Sequence, residues 1–294
     1  MTMRIKNAIN GWLHSKSRVR FIPACAVMSA LAAGPTLRAG QVPASPLANE
    51  IFDVNGSVKP CTTDADCKAG ETGPDPQTVC RDTTGDGVPD ACYVKRQRYL
   101  SVKPNPDNAG SSYAVRISLD TGEAGGALLG FVQEPTNMSA GPIPGPASFD
   151  KALIDGAPFY QDWTTLPSGV ISIGDCEISP SHNYLVQTIA DGADTNNENN
   201  YSAPLNLPTC ANHGDTTGGG NPGSPPNGAP ASLTDVYASV LVFQGIGNEP
   251  LDWLDIEPNN NNAPNLIVRL ADAFATVQSF QQNPYPGPDP QECP

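Results

Sequence analysis

Apolar side chains recur along this chain at two different steps. Between residues 95 and 209 the step is two: Tyr113, Val115, Ile117 and Leu119 alternate with polar neighbours, and Tyr184, Val186 and Thr188 do so more loosely. Such alternation lays one face of a strand against a core. Short, β-rich, turn-bounded runs at 98–103, 112–119, 127–133, 169–173, 183–189 and 203–207 predict six strands, a number suited to a two-layer sandwich. Towards the C-terminus the step becomes three and four. Leu233, Val236, Tyr237, Val240 and Phe243 form one such series, and Leu270, Ala273, Phe274, Val277 and Phe280 another. Each predicts a helix with one apolar stripe.

The two helical series are one unit written twice. Shifting the chain by 37 positions lays Leu233, Asp235, Tyr237, Val240 and Phe243 on Leu270, Asp272, Phe274, Val277 and Phe280. A repeat of this kind builds two copies of one supersecondary unit that stack on each other. A loop precedes each helix. The first starts at Asp215, offers Thr217 and Asn227, and ends at Asp235 in the first helical turn. The second starts at Asp255, offers Glu257, Asn259 and Asn265, and ends at Asp272. Calcium takes six to eight oxygen ligands, and a loop running into a helix with a first-turn carboxylate supplies them. The spans from first to last Asp, 20 and 17 positions, exceed an ordinary loop of about twelve residues, so extra residues must bulge out.

This duplicated loop–helix pattern resembles a dockerin, a calcium module found at the C-terminus of many bacterial secreted proteins. Asn227-Gly228 through Asp235 is similar to the back half of such a loop, and Leu233 and Leu270 stand where its apolar residue belongs. The resemblance implies structural calcium and docking to a cohesin-like or cell-surface protein. Thr234, Ser239, Thr276 and Ser279 are then candidates for the docking face. Two plainer readings stand beside it. Ser232-x-x-Asp235 matches a helix capping box, an explanation that Arg269 at the matching place denies to Asp272. Residues 214–231 also suit a flexible linker.

Composition and charge narrow the classes. Gly (28) and Pro (31) are abundant while charged residues make up 16%, which fits short strands and many turns. Residues 1–39 hold six basic side chains and no acid, so residues 40–294 carry 10 basic and 30 acidic groups, a net charge of −20. That surface repels nucleic acid and anionic lipid and favours cations. Residues 1–39 read as an export signal: a basic start, then an apolar run from Phe21 to Ala33 too short to span a bilayer. No other segment predicts a membrane crossing, so the mature chain is expected outside a bacterial cell or on its surface, without membrane insertion.

Export makes disulfides the expected fate of cysteine. Cys61, Cys67, Cys80 and Cys92 fall within 32 residues and suit two bridges. Cys176 with Cys210 is the expected third, which leaves Cys293 unpaired, paired between chains, or displacing one of these assignments. The Cys-rich stretch ends with Asp82, Thr84, Asp86, Gly87 and Asp90. Alternating oxygens followed by a turn glycine suit another calcium loop, and the run resembles a thrombospondin type 3 repeat with Thr84 where Asp is usual. Asp-Gly turns closed by a disulfide also form without metal. The stretch from Ile178 to Thr188, with Tyr201 beyond, resembles the last strands of a fibronectin type III domain, in which Tyr184 is a corner tyrosine. The acidic Asp191–Asn200 loop is also similar to bacterial cell-adhesion Ig-like domains.

The expected architecture is therefore mainly β. Residues 1–39 are the signal, 40–94 the lead-in and Cys-rich segment, 95–209 an Ig or fibronectin III-like sandwich, 210–283 the loop–helix pair and 284–294 a Pro-rich tail. Catalysis finds no support. His182 and His213 sit in no motif with a nucleophile or metal, and Gly218-Gly-Gly220 lacks the Lys and strand of a phosphate loop. The expected role is a non-catalytic attachment protein. The alternative is a carbohydrate-binding or carbohydrate-degrading protein attached through the same tail, for which Tyr160 and Trp163 are the notable aromatic pair.

Overall fold

The computed structural model describes residues 41–49, 59–67, 77–139, 148–217, 226–247, 249–257 and 263–293. The export signal lies outside them. Their regular structure is mainly strands in sheets, with four α-helices. The strands are β1 (Leu47–Ala48), β2 (Thr78–Arg81), β3 (Ala91–Val94), β4 (Leu100–Lys103), β5 (Tyr113–Leu119), β6 (Ala127–Val132), β7 (Thr136–Ser139), β8 (Ser148–Ala152), β9 (Ile154–Asp155), β10 (Ile171–Ile173), β11 (Asn183–Ala190) and β12 (Leu205–Pro208). The helices are α1 (Asp64–Cys67), α2 (Leu233–Phe243), α3 (Leu251–Leu254) and α4 (Leu270–Phe280).

Two five-stranded sheets form, in the orders β1-β4-β10-β8-β7 and β12-β11-β5-β6-β9. Pairing within them is antiparallel except between β8 and β10. Their inward side chains meet in one cluster, Leu100, Val102, Ile171 and Ile173 from the first with Tyr113, Val115, Ile117, Tyr184 and Val186 from the second. Each such burial contributes about 1.5–3 kcal/mol. Trp163 is 0% exposed in this core and its indole N–H donates to the Tyr113 carbonyl at 2.7 Å. The Tyr184 hydroxyl donates to the Glu177 carbonyl and accepts from the Ser179 N–H, both at 2.9 Å, tying β11 to the turn before it.

The opposite parity of β5 is buried as well. Arg116 makes two bonds to Glu198, at 2.7 and 2.6 Å, and its guanidinium lies 3.4 Å from the centre of the Tyr201 ring. The acidic loop before Tyr201 thereby covers the outer face of its sheet, and Arg116 holds the Glu198 carboxyl below its ordinary range. Strands β7 and β8 escape the alternation test because they are polar. Asp150 in β8 is nonetheless 1% exposed, accepting from Ser168 Oγ at 2.6 Å and Asn137 Nδ2 at 2.9 Å.

The Cys-rich segment is the β2–β3 hairpin stapled by two bridges, as many as its four cysteines suggest, and the structure pairs them Cys61–Cys80 and Cys67–Cys92. The third corrects the sequence reading: Cys176 pairs with Cys293, and Cys210 is a buried thiol donating to the Lys95 carbonyl at 3.2 Å. The reason is local. The Cys210 N–H bonds to the Arg96 carbonyl, which sets this stretch beside residues 95–96, while the turn Pro290–Glu292 brings Cys293 back to the end of β10. Among the described residues no helix is long and apolar enough to cross a membrane.

Peptide mapping without reduction should recover Cys61–Cys80, Cys67–Cys92 and Cys176–Cys293, with Cys210 alkylated only after unfolding. A Cys176–Cys210 peptide would contradict this structure. Removing the Cys176–Cys293 bridge should cost about 2–5 kcal/mol, read by urea unfolding.

Candidate functional site

Both C-terminal helices start on a buried aspartate. Asp235 Oδ1 accepts the Thr216 and Thr217 N–H groups at 2.8 and 2.9 Å, and Oδ2 accepts the N–H and hydroxyl of Ser232 at 2.8 and 2.7 Å. Asp272 Oδ1 accepts the Ile256 and Glu257 N–H groups, each at 2.9 Å, and Oδ2 accepts the Arg269 N–H at 2.7 Å. Each carboxylate therefore caps its helix and grips the start of its loop. The capping explanation extends to Asp272 after all, because the bond it needs comes from a backbone N–H that Arg269 supplies as well as Ser232.

The first aspartates do a different job. Asp215 accepts the Asn227 N–H at 3.3 Å and the Gly228 N–H at 2.7 Å. Asp255 Oδ2 accepts the Asn265 N–H at 2.7 Å, the Leu266 N–H, and the Tyr99 hydroxyl at 2.7 Å. At the turn Gly228 has φ 77° and Leu266 φ 61°. Left-handed backbone costs a non-glycine residue about 1–2 kcal/mol. Leu266 is 2% exposed, packed with Tyr99, Phe149 and Val170, and such burial contributes about 1.5–3 kcal/mol, enough to offset the strain.

The loop at Asp82 carries the same bonds in a shorter frame. Asp82 accepts the Thr84 and Gly85 N–H groups at 3.0 and 2.6 Å and the Gly87 N–H at 2.7 Å, with Gly87 at φ 83°. In all three loops the Asx residue before the turn accepts the N–H two positions on: Asp86 from Val88, Asn227 from Ala229 and Asn265 from Ile267, each at 2.9 Å. The turn lies 5, 13 and 11 positions beyond the first Asp, so the insertions are spliced in ahead of a common closure. Asp90 closes the short loop by accepting the N–H and hydroxyl of Thr83 at 2.7 and 3.0 Å.

Burial and charge set the electrostatics of the second loop. Desolvation, then the Asp272 charge, push the Asp255 carboxyl up to about 6. Burial raises Asp272 and Glu257 above their ordinary values too, and it lowers Lys151 although the charges of Asp255 and Asp175 favour its cation. Two mutually repelling carboxylates in a dry site are the setting a hard cation relieves. Beside the first loop, Gln97 is 1% exposed and its Oε1 has no partner among the described residues, while its amide N–H donates to the Asp215 carbonyl at 2.8 Å. A buried unmatched oxygen is a donor of the type calcium takes. Asp82, Asp215, Asp235 and Asp272 accept hydrogen bonds on both carboxylate oxygens, whereas the donors to Asp255 converge on Oδ2. The side chains that could add oxygen ligands to a cation in the three loops are Asp82, Asp86, Asp215, Asn227, Asp255 and Asn265.

Thr217 and Glu257 enter through their backbone N–H groups, and the Thr84 side chain is exposed. Asn259 lies outside the described residues. The described groups of three or more His, Cys, Asp or Glu ligand atoms within 4.8 Å of one another are disulfide sulfurs, with Glu177 beside one pair. Bridged sulfurs are not thiolates and hold no metal. His182 bonds to Ser179 and Pro180, and His213 packs edge-on to Tyr285.

The helix pair shows what the sequence missed. Ser239 and Thr276, each 0% exposed, touch at 3.1 Å where the helices cross. Each also bonds back, at 3.0 Å, to the carbonyl of the first-turn aspartate of its own helix. Ser279 is buried too, donating to the His213 carbonyl. Small side chains let the backbones approach, so these three are interior contacts and not docking residues. The large apolar ones turn outward: Leu233, Tyr237, Leu270 and Phe274 are 69, 63, 64 and 59% exposed. An apolar groove of about 470 Å³ lies there, lined by Val240, Leu270, Ala271, Ala273, Phe274 and Val277. Tyr160 is half-buried and Trp163 fully so, which leaves no exposed aromatic pair at that place.

No family model, curated protein or solved structure matches this chain.

A pH dependence follows for Asp255. Its carboxyl is raised in the folded chain, so protonation favours folding, and the benefit present below about pH 4 is lost as pH rises to about 6. A rise from 3.8 to about 6 corresponds to about 3 kcal/mol. Urea melts in chelator should show the stability of wild type relative to Asp255→Asn falling by about that amount between pH 4 and 7. A pH-independent difference would refute the assignment.

Proposed function

We propose that this chain is an exported, non-catalytic attachment protein whose three Asp-headed loops take calcium and whose paired C-terminal helices dock a protein partner. The carrying observation is the closure shared by the three loops: first Asp to the amide of a left-handed turn, and the preceding Asx to the amide two residues on. Asp82 and Asp86, Asp215 and Asn227, and Asp255 and Asn265 are the side chains that would hold the ions. Bound calcium would neutralise carboxylates that otherwise repel one another. Asp235 and Asp272 would position the helices.

The apolar face supports the attachment role. Large exposed apolar patches mark interaction sites, and this one presents Leu-x-x-x-Tyr on one helix and Leu-x-x-x-Phe on the other, while the aspartates within those stretches, Asp235 and Asp272, are buried. A cohesin-like or cell-surface partner would therefore be gripped by apolar contact. The bond from Tyr184 to the turn upstream supports the finer reading of the sheets as a fibronectin III or Ig-like sandwich. The disulfides are compatible with a location outside the cytoplasm.

Calorimetric titration should find three calcium ions per chain, with Asp82→Ala, Asp215→Ala and Asp255→Ala each removing one. At calcium a hundredfold above Kd, each ion should add about 2.7 kcal/mol of stability. Tyr237→Glu with Phe274→Glu should abolish capture by a cohesin-type domain while calcium uptake and helicity persist. Unchanged helicity and thermal stability on chelation would remove the basis of the proposal.

A further inference from the structure

We propose that Tyr99 is a positioning residue of the second loop, holding Asp255 in place for a cation and making that loop's loading act on the β-sheet beneath it. The inference rests on the calcium reading of the loops, but its observations are separate ones.

Residues Lys95 to Tyr99 are all buried, from 8% to 0% exposed, although the run is Lys-Arg-Gln-Arg-Tyr. They are buried because they run under the C-terminal loops. Arg96 pairs with Asp252, Gln97 donates to the Asp215 carbonyl at 2.8 Å, and an Arg98 N–H reaches the Glu257 carbonyl at 3.4 Å. Tyr99 goes further and touches a carboxylate, donating to Asp255 Oδ2 at 2.7 Å while its oxygen accepts the Leu266 N–H at 3.0 Å. One phenol thus bonds the residue that opens the loop and the residue that turns it.

The ring itself has little room to move. It packs with Phe149 and Val170, and a Cβ on Gly174 would come within 2.4 Å of two ring carbons. The next residue, Leu100, begins β4 in the sheet core. The line from sheet to candidate ligand is therefore one side chain long. The first loop meets the same strap through backbone, at the Asp215 carbonyl. The two loops close alike, yet only the second has its leading carboxylate bonded to Tyr99. Groups that orient a metal ligand without touching the metal set its affinity.

Terbium(III), excited through tyrosine, tests this on the full chain after calcium is removed with chelator. Wild type should give sensitised emission, and terbium should raise the temperature at which the near-ultraviolet signal of buried Trp163 is lost. Tyr99→Phe keeps the ring. It should weaken uptake at the second loop about tenfold or more, reduce the sensitised emission and shrink the gain in melting temperature. In an Asp255→Asn background the same substitution should add no further loss, which separates positioning from mere packing. Unchanged affinity and emission in Tyr99→Phe, or an equal loss in both backgrounds, overturns the inference alone. A wild-type chain that takes up no terbium overturns it together with the calcium reading.

Discussion

A carboxylate buried at the start of a helix has to find donors, and the C-terminal third of this protein is arranged around meeting that need twice. Asp235 and Asp272 are 3 and 2% exposed. Each charged hydrogen bond contributes about 1.5–3 kcal/mol, and an unmatched buried charge would cost more than that. The donors are backbone amides of the loop just upstream, so satisfying the aspartate fixes where the loop begins relative to its helix. The helices in turn cross at Ser239 and Thr276, four residues beyond those aspartates, each bonded back to the aspartate's own carbonyl. Loop, cap and crossing are therefore one connected construction, made once per repeat.

Much of this was legible in the sequence. The 37-residue repeat, both helices, the six stronger strands and the number of bridges in the hairpin follow from spacing, whereas the pairing of its four cysteines does not. What was hidden shares a physical cause: spacing reports that a face is apolar but not what covers it. Spacing marks an apolar stripe on α2 and on α4, yet Ser239 and Thr276 are the side chains that touch where the helices cross, with Ala238 and Ala273 buried and Tyr237 and Phe274 left outside. β8 was hidden because Asp150 and Lys151 look like loop residues until Ser168 and Asn137 are seen bonding Asp150. The partner of Cys176 depends on where a Pro-rich tail returns, which no local pattern encodes.

The loops illustrate the reverse case, in which three-dimensional bonds reveal a likeness that linear spacing obscures. From the leading Asp to its turn the three loops differ by up to eight positions, so alignment by spacing fails. Aligned by hydrogen bonds they coincide: the Asp, the Asx before the turn, and a left-handed residue. Leu266 stands where the other loops have glycine, and its place under Tyr99 and Phe149 explains the exception. The surplus of negative charge in residues 40–294 gives such loops a reason to take up cations, since no set of local amides removes the long-range repulsion.

The most direct measurement is the backbone amide resonance of Gly87, Gly228 and Leu266, followed by NMR as calcium is added to chelator-treated protein. The three amides are the ones that close the loops on Asp82, Asp215 and Asp255. The account predicts that all three are protected from solvent exchange and shift in a saturable way with calcium, while amides of the sheet core such as Val186 stay in place. Amides that exchange freely, or that ignore calcium up to millimolar concentration, would contradict it.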